Sequence, residues 1–326
     1  MKIIKPIIVS IFSIFVFCNS LTVRAIVWGD QDLNNIYPDV VSLTGINQAP
    51  DTKYNLISRC SGSLLHRDSN KIVFLTAGHC TAGWAALPLS HKVGVSFEQN
   101  NQQAWRNNDA PYYVNGGIPV SLPDTVGTNR KLDLGLVVFS ADATNANGLT
   151  IIQQWNLSRI QNVRVLASKA ELQDIINSVK IPSNNLYFTV VGYGTGEKMP
   201  IPGQETGPAT PKGRNDATFM IRYFADRLSY NAYNPGNDVL ELSQNPAKNE
   251  NGACNGDSGG PIFYEGVTAR IQVAVVSGGS LPCSSLLQAP SLNLPEAVGL
   301  LSCGRNSSLT AQQVKDCVVN VSLVKP

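Results

Sequence analysis

Gly256-Asp257-Ser258-Gly259-Gly260-Pro261 sets a serine hydroxyl in a glycine-flanked turn, and Thr76-Ala77-Gly78-His79-Cys80, far upstream, supplies an imidazole able to deprotonate it. A serine hydroxyl is a weak nucleophile at neutral pH, so it needs an adjacent base, and imidazole has the unperturbed pKa that suits the task. Glycines beside the serine let the backbone approach a substrate closely. They also let the amides of Gly256 and Ser258 converge on one spot, where the oxyanion of a tetrahedral intermediate would be held. Loss of one such donor costs about 10²- to 10³-fold in rate. The pairing predicts a serine hydrolase.

The same hexapeptide satisfies Gly-x-Ser-x-Gly, the nucleophile elbow of α/β-hydrolases, so the motif alone leaves two scaffolds open. Chain order separates them. An α/β-hydrolase carries its histidine after the serine, whereas the histidines here, His66, His79 and His91, all precede Ser258. What remains is the order His, Asp, Ser. The acid should stand between the two at the edge of a buried strand, shielded yet within reach of the ring. Asp133 meets this, because it opens the apolar run Asp133-Leu134-Gly135-Leu136-Val137-Val138-Phe139. Asp109, Asp124 and Asp142 lie in Asn-, Pro- and Ala-rich surroundings and read as solvated loop residues.

At these positions the chain resembles the trypsin/chymotrypsin-like serine peptidases. The resemblance extends to Cys60-Ser61-Gly62-Ser63-Leu64-Leu65 before the histidine, Val191-Gly192-Tyr193-Gly194, and Val276-Ser277-Gly278-Gly279 with Cys283. It implies an all-β fold of two six-stranded antiparallel barrels with the triad His79, Asp133 and Ser258 in the cleft between them. Residues 26–150 would form the first barrel, 151–184 a linker, 185–302 the second barrel and 303–326 a tail helix. It further implies protein or peptide substrates, susceptibility to proteinaceous inhibitors, a monomeric state and no cofactor. Composition is compatible: of 326 residues, 43% are hydrophobic and 15% charged, with 27 glycines and 19 prolines punctuating short apolar runs such as Ile72 to Thr76 and Leu186 to Val191. A net charge of +2 without a basic cluster leaves no footprint for nucleic acid.

Residues 1–25 read as a secretory signal. Lys2 and Lys5 precede an apolar stretch from Ile7 to Phe17 that is short for a membrane span, and Val23-Arg24-Ala25 suits cleavage. No membrane association is expected after its removal. A lipoprotein signal at Cys18 is the competing reading, weakened by the bulky Phe17 before it. Losing Cys18 turns seven cysteines into an even set, Cys60, Cys80, Cys254, Cys283, Cys303 and Cys317, suited to an oxidising compartment. Spacing leaves their pairing open. The resemblance implies Cys60 with Cys80 and Cys254 with Cys283, which leaves Cys303 and Cys317 to pair in the tail. No Cys-x-x-Cys occurs and the histidines are scattered, so no metal site is expected.

Cleavage after Ala25 would create the N-terminus Ile26-Val27-Trp28-Gly29, similar to the Ile-Val-Gly-Gly start of activated trypsin-like enzymes, with Trp28 in place of glycine. The resemblance then implies an ion pair between the new α-ammonium of Ile26 and Asp257. The alternative is an ordinary signal-peptide end with a coincidental Ile-Val. For the substrate pocket the resemblance points to Gly252, Ala253, Ser277 and Gly279. Gly252 falls where enzymes of basic preference carry an aspartate, so an apolar or aromatic residue on the acyl side of the cut is expected.

Gly192-Tyr193-Gly194-Thr195-Gly196 has the look of a nucleotide loop, but Pro200 and Pro202 stand where its helix would begin. His66 and His91 read as surface or strand-end residues. Ser168-Lys169-Ala170-Glu171 is a capping-box pattern ahead of Leu172, Ile175, Ile176 and Val179, which predicts an amphipathic helix in the linker. Residues 197–216, rich in Pro, Gly and Thr, predict a mobile loop. Thr310 to Val321 predict a closing helix with Val314, Cys317, Val318 and Val321 turned inward. Two functions follow: a secreted endopeptidase, or a binding or adhesive protein that keeps the scaffold without turnover.

Overall fold

The computed structural model describes residues 26, 29–47, 55–88, 91–103, 113–122, 132–178, 186–194, 220–234, 238–267, 269–279, 283 and 285–323. The signal segment and the loop 197–216 lie outside the described residues.

A two-residue strand, β1 (Asp30–Gln31), leads into the first barrel. That barrel comprises β2 (Val40–Asn47), β3 (Asn55–Arg67), β4 (Lys71–Thr76), β5 (His91–Ser96), β6 (Val114–Ser121) and β7 (Gly135–Ser140). It is closed in the order β2-β3-β4-β7-β6-β5, every pair antiparallel. Strand side chains alternate between faces, and here both faces of the central strands are buried. Ile72 and Phe74 of β4, with Val137 and Phe139 of β7, fill the barrel interior alongside Leu43 and Leu64. Val73, Leu75, Leu136 and Val138 turn outward into a second apolar cluster. This double burial is why the two runs are continuously apolar rather than alternating.

What covers the outer face is helical. After α1 (Gly78–Ala85), α2 (Ile151–Trp155) and α3 (Lys169–Ser178), the chain ends in α4 (Pro295–Arg305) and α5 (Ala311–Leu323). Gly304 on α4 lies against Leu65, Val73 and Leu136, and α5 buries Val314 and Val318 completely. Pro295 sits in the first turn of α4, where its missing N–H costs nothing. Thr310 and Gln313 cap α5 reciprocally, backbone N–H to side chain, at 2.8 and 3.4 Å. The buried Lys71 ties the hairpin between β3 and β4 to the α4–α5 connection by donating from Nζ to the Asn306 carbonyl at 2.6 Å. In the linker, Ser168 Oγ accepts from the Glu171 N–H at 3.1 Å, and α3 buries Leu172 and Ile175. The Glu171 carboxylate reaches the N–H of Ala167 rather than that of Ser168.

The second sheet runs β12-β11-β8-β9-β10-β14-β13, with β1 added on β9. Its strands are β8 (Tyr187–Gly192), β9 (Tyr223–Asn234), β10 (Val239–Ser243), β11 (Pro261–Glu265), β12 (Arg270–Val275), β13 (Gly278–Gly279) and β14 (Leu286–Pro290). An antiparallel bridge of Ala274 with Ser291, and a bond from Leu292 N–H to the Val273 carbonyl at 3.0 Å, bring β12 against the end of β14. The second sheet thereby curls back on itself, as the second barrel of the expected fold would. Its N-terminal boundary with the first is stitched by Arg222 and Asp32, both fully buried and 2.9 Å apart from Nε to Oδ2. Arg222 Nη1 also donates to the carbonyl of Val40 at 3.0 Å, and the Tyr193 hydroxyl donates to that of Glu98 at 3.0 Å. Buried charges need such partners. The fold is therefore mostly β, with a few helices that shield the first barrel and link the two.

Candidate active site

His79 stands at the start of α1, directly after β4, and its side chain is 42% exposed. Asp133 lies two residues before β7 and is 5% exposed. Because β4 and β7 are paired, Thr76 to Gly135, the two residues emerge side by side. The carboxylate takes both of His79's donors: the backbone N–H at 2.6 Å to Oδ1 and ring Nδ1 at 2.8 Å to Oδ2. With Nδ1–H given to Asp133, the ring's Nε2 is the nitrogen free to accept a proton. Ser277 Oγ donates to the same Asp133 Oδ2 at 2.5 Å. The hydroxyl that the sequence assigned to the substrate pocket thus turns to the carboxylate.

Ser258 lies in the turn before β11, and that turn is fixed from several sides. The Ser258 carbonyl accepts from Ser61 N–H at 2.8 Å, and Cys80 Sγ approaches it to 3.9 Å, so the serine sits against the segment that carries His79. Gly259 N–H reaches the Val276 carbonyl at 2.7 Å, and Gly260 N–H that of Asp257 at 2.7 Å. Gly256 and Gly259 have φ of +94° and +80°, a region only glycine enters freely. Ser61 Oγ donates to the Gly256 carbonyl at 3.1 Å and accepts the Tyr193 N–H at 2.9 Å. It holds that peptide in one orientation.

Asp257 is fully buried. It accepts N–H bonds from Gly194 at 2.8 Å and Cys254 at 2.9 Å. Burial pushes its carboxyl up to about 7, against the opposing pull of those two N–H groups and of the Arg59 charge. The glycines of Gly192-Tyr193-Gly194 make room for it, since a Cβ on Gly192 would fall 2.2 Å from Asp257 Oδ1. Ile26 is fully buried in the apolar cluster shared by the outer face of the first barrel and the second sheet. In the full chain its nitrogen is peptide-bonded to Ala25 and uncharged, so no ion pair joins it to Asp257 here.

Disulfides join Cys60 to Cys80, Cys254 to Cys283 and Cys303 to Cys317. The first staples β3 to the helix of His79, the second the nucleophile loop to the residues after β13, and the third α4 to α5. Cys60, His79 and Cys80 cluster, but their sulfurs are bonded to each other and are not thiolate ligands. His66, away from this site, contacts Asp68 at 2.8 Å on the β3–β4 hairpin, and His91 opens β5.

The residues that the resemblance assigns to the substrate pocket fall on either side of the Ser258 turn in the chain. Gly252 and Ala253 precede the nucleophile loop, and Gly279 lies on β13 opposite Leu287 of β14. Gln244, which sequence reasoning missed, contacts both glycines from the end of β10. No local pattern signals it, because a single polar residue after a short strand reads as a turn.

The family model described as Trypsin matches residues 26–293. No curated protein matches the chain. Among solved structures, the protease Anisep from Arthrobacter nicotinovorans is similar at 15% identity and a TM-score of 0.43, over 78% of this chain and 90% of that one. The secreted serine protease VesC from Vibrio cholerae is similar at 15% identity and a TM-score of 0.46, over 81% of this chain and 46% of that one, so this chain spans about half of VesC. Matched over most of its length, the chain belongs to the trypsin family of serine proteases.

Proposed function

We propose that the protein is a secreted serine endopeptidase that works through His79, Asp133 and Ser258. His79 Nε2 takes the proton from Ser258 Oγ as that oxygen attacks the peptide carbonyl, then passes it to the leaving amine; water hydrolyses the resulting ester by the same route. Asp133 holds the ring in the tautomer with Nδ1 protonated and stabilises the imidazolium. Ser277 is a positioning residue for that carboxylate. The amides of Gly256 and Ser258 receive the oxyanion. The observation that carries this reading is the double grip of Asp133 on His79, 2.6 Å to its backbone and 2.8 Å to its ring, which leaves Nε2 for the nucleophile.

Secretion is supported by the signal-like residues 1–25 and by the three disulfides. Release of Ile26 as a charged N-terminus would give Asp257 the cationic partner that its burial calls for. Gly252, Ala253 and Gly279 carry no charge, which favours an uncharged residue on the acyl side of the cut. A fluorophosphonate probe applied to the mature protein tests the reading: Ser258 is labelled and Ser258→Ala is not. A folded, unlabelled mature protein would mean that the scaffold binds without turnover.

A further inference from the structure

One buried side chain has no task in the catalytic cycle. Gln244 directly follows β10 and is 2% exposed, yet neither Nε2 nor Oε1 has a hydrogen-bond partner among the described residues. Its backbone N–H is engaged, by the Ser285 carbonyl at 3.0 Å, so the deficit is confined to the carboxamide. A buried polar group left unpaired is destabilising, and a methionine would fill the same space without that cost. Packing alone does not call for glutamine here.

Its location gives the reason. A Cβ built on Gly252 would lie 2.2 Å from Gln244 Oε1, and one built on Gly279 would lie 3.7 Å from Nε2. The carboxamide therefore spans the gap between the residues assigned to the floor and the wall of the acyl-side pocket. The strand register adds a backing. Leu287 pairs with Gly279 on one side and with Leu242 on the other, and Gln244, two residues beyond Leu242, shares their face. The room that the two glycines leave open in the sequence is occupied in the fold. None of Gly252, Ala253, Gly279 and Gln244 is charged.

We infer that Gln244 sets the acyl-side specificity. Its carboxamide closes the deep end of the pocket so that only a short side chain enters, and its unpaired N–H and C=O select for a short side chain that can hydrogen-bond. Serine, threonine and asparagine are the preferred residues, alanine follows, and phenylalanine, leucine, lysine and arginine are excluded. A carboxylate would meet only the N–H donors and an ammonium only the carbonyl, with no countercharge for either. The inference rests on the endopeptidase reading and replaces the apolar or aromatic preference expected from the glycines alone.

The test is a peptide-library cleavage profile of the mature wild type, Gln244→Ala and Gln244→Met, with fluorophosphonate labelling of Ser258 run on each. Wild type cuts after short residues, with serine, threonine and asparagine ahead of alanine. Gln244→Ala gains about tenfold or more in kcat/KM after leucine and phenylalanine, in line with what a few methylenes contribute in an apolar pocket. Gln244→Met keeps the limit on size but cuts equally well after alanine and serine. A labelled wild type that cuts readily after phenylalanine or arginine overturns the inference, as do identical profiles for all three labelled proteins. An unlabelled wild type overturns the endopeptidase reading and this inference with it.

Discussion

Blocking the nitrogen of Ile26 with one additional residue will make stability fall as pH rises, and the processed chain will not share that fall. The perturbation is a pair of Ser258→Ala proteins, inert toward themselves, one beginning at Ile26 and the other at Ala25. In the blocked chain Asp257 has no ammonium beside it, and is held by the N–H groups of Gly194 and Cys254 and the pull of the Arg59 charge. Burial lifts its carboxyl from an ordinary 3.8 to about 7. The folded state therefore holds this proton more tightly than the unfolded state. Stability is greatest below pH 4, declines between pH 4 and pH 7, and above that is lower by about 4 kcal/mol, since each tenfold difference in proton affinity between the two states is worth about 1.4 kcal/mol.

If the α-ammonium of the processed chain pairs with the carboxylate as proposed, the ionised form no longer has to be buried alone. Its own folded pKa is raised by the pairing, so its contribution is complete below about pH 7.7 and fades as the pH climbs through the raised value. All other titrating groups are common to both proteins and cancel in the difference. Urea unfolding at intervals from pH 4 to pH 10 should give a difference curve that rises from near zero, peaks close to pH 8 and falls again. Parallel curves would refute the reasoning, as would a blocked chain that gains on the processed one between pH 4 and pH 7.

Four further outcomes follow from the geometry. Asp133→Asn lowers kcat by about 10⁴-fold with an unchanged circular dichroism spectrum, because the amide no longer enforces the Nδ1-protonated tautomer. Ser277→Ala removes the 2.5 Å bond to Asp133 Oδ2 and lowers kcat by roughly tenfold while KM stays constant, as steady-state kinetics on a peptide ester would show. Arg222→Met leaves Asp32 buried without its partner and destabilises by about 3–5 kcal/mol in urea titration, most of which Asp32→Asn restores in the double variant. Replacing Cys303 and Cys317, 14 residues apart in sequence, by serine costs about 3 kcal/mol and lowers the melting temperature, with activity intact at 25 °C.

The parts of this molecule that could be read from the chain are those where chemistry or local geometry restricts the residue. A nucleophilic serine with positive-φ neighbours needs glycines, so its turn is visible in one dimension. Asp133 is visible because it must stand at the mouth of a strand beside the histidine's strand, and the run after it announces that strand. The linker helix is visible because Ser168 acts within three residues of itself. α4 is harder: Pro295 to Arg305 is apolar on the side that covers β4 and β7, and that side has meaning only once both strands are known.

The residues that stayed hidden share a different property, which is that their roles are assigned by distant partners. Arg222 and Asp32 stand 190 positions apart, and each reads as a solvated charge until the barrels meet around it. Ser277 reads as pocket lining until its hydroxyl is seen to face Asp133, 144 positions earlier. Gln244 is the sharpest case, because two glycines look like open space in a sequence and are open only if nothing else leans into them. Volume in a cleft is a property of every strand that borders it. On the inference drawn from Gln244, specificity cannot be read from the motif that carries Ser258, because it would depend on β10 and β14, whose own sequences say nothing of substrate.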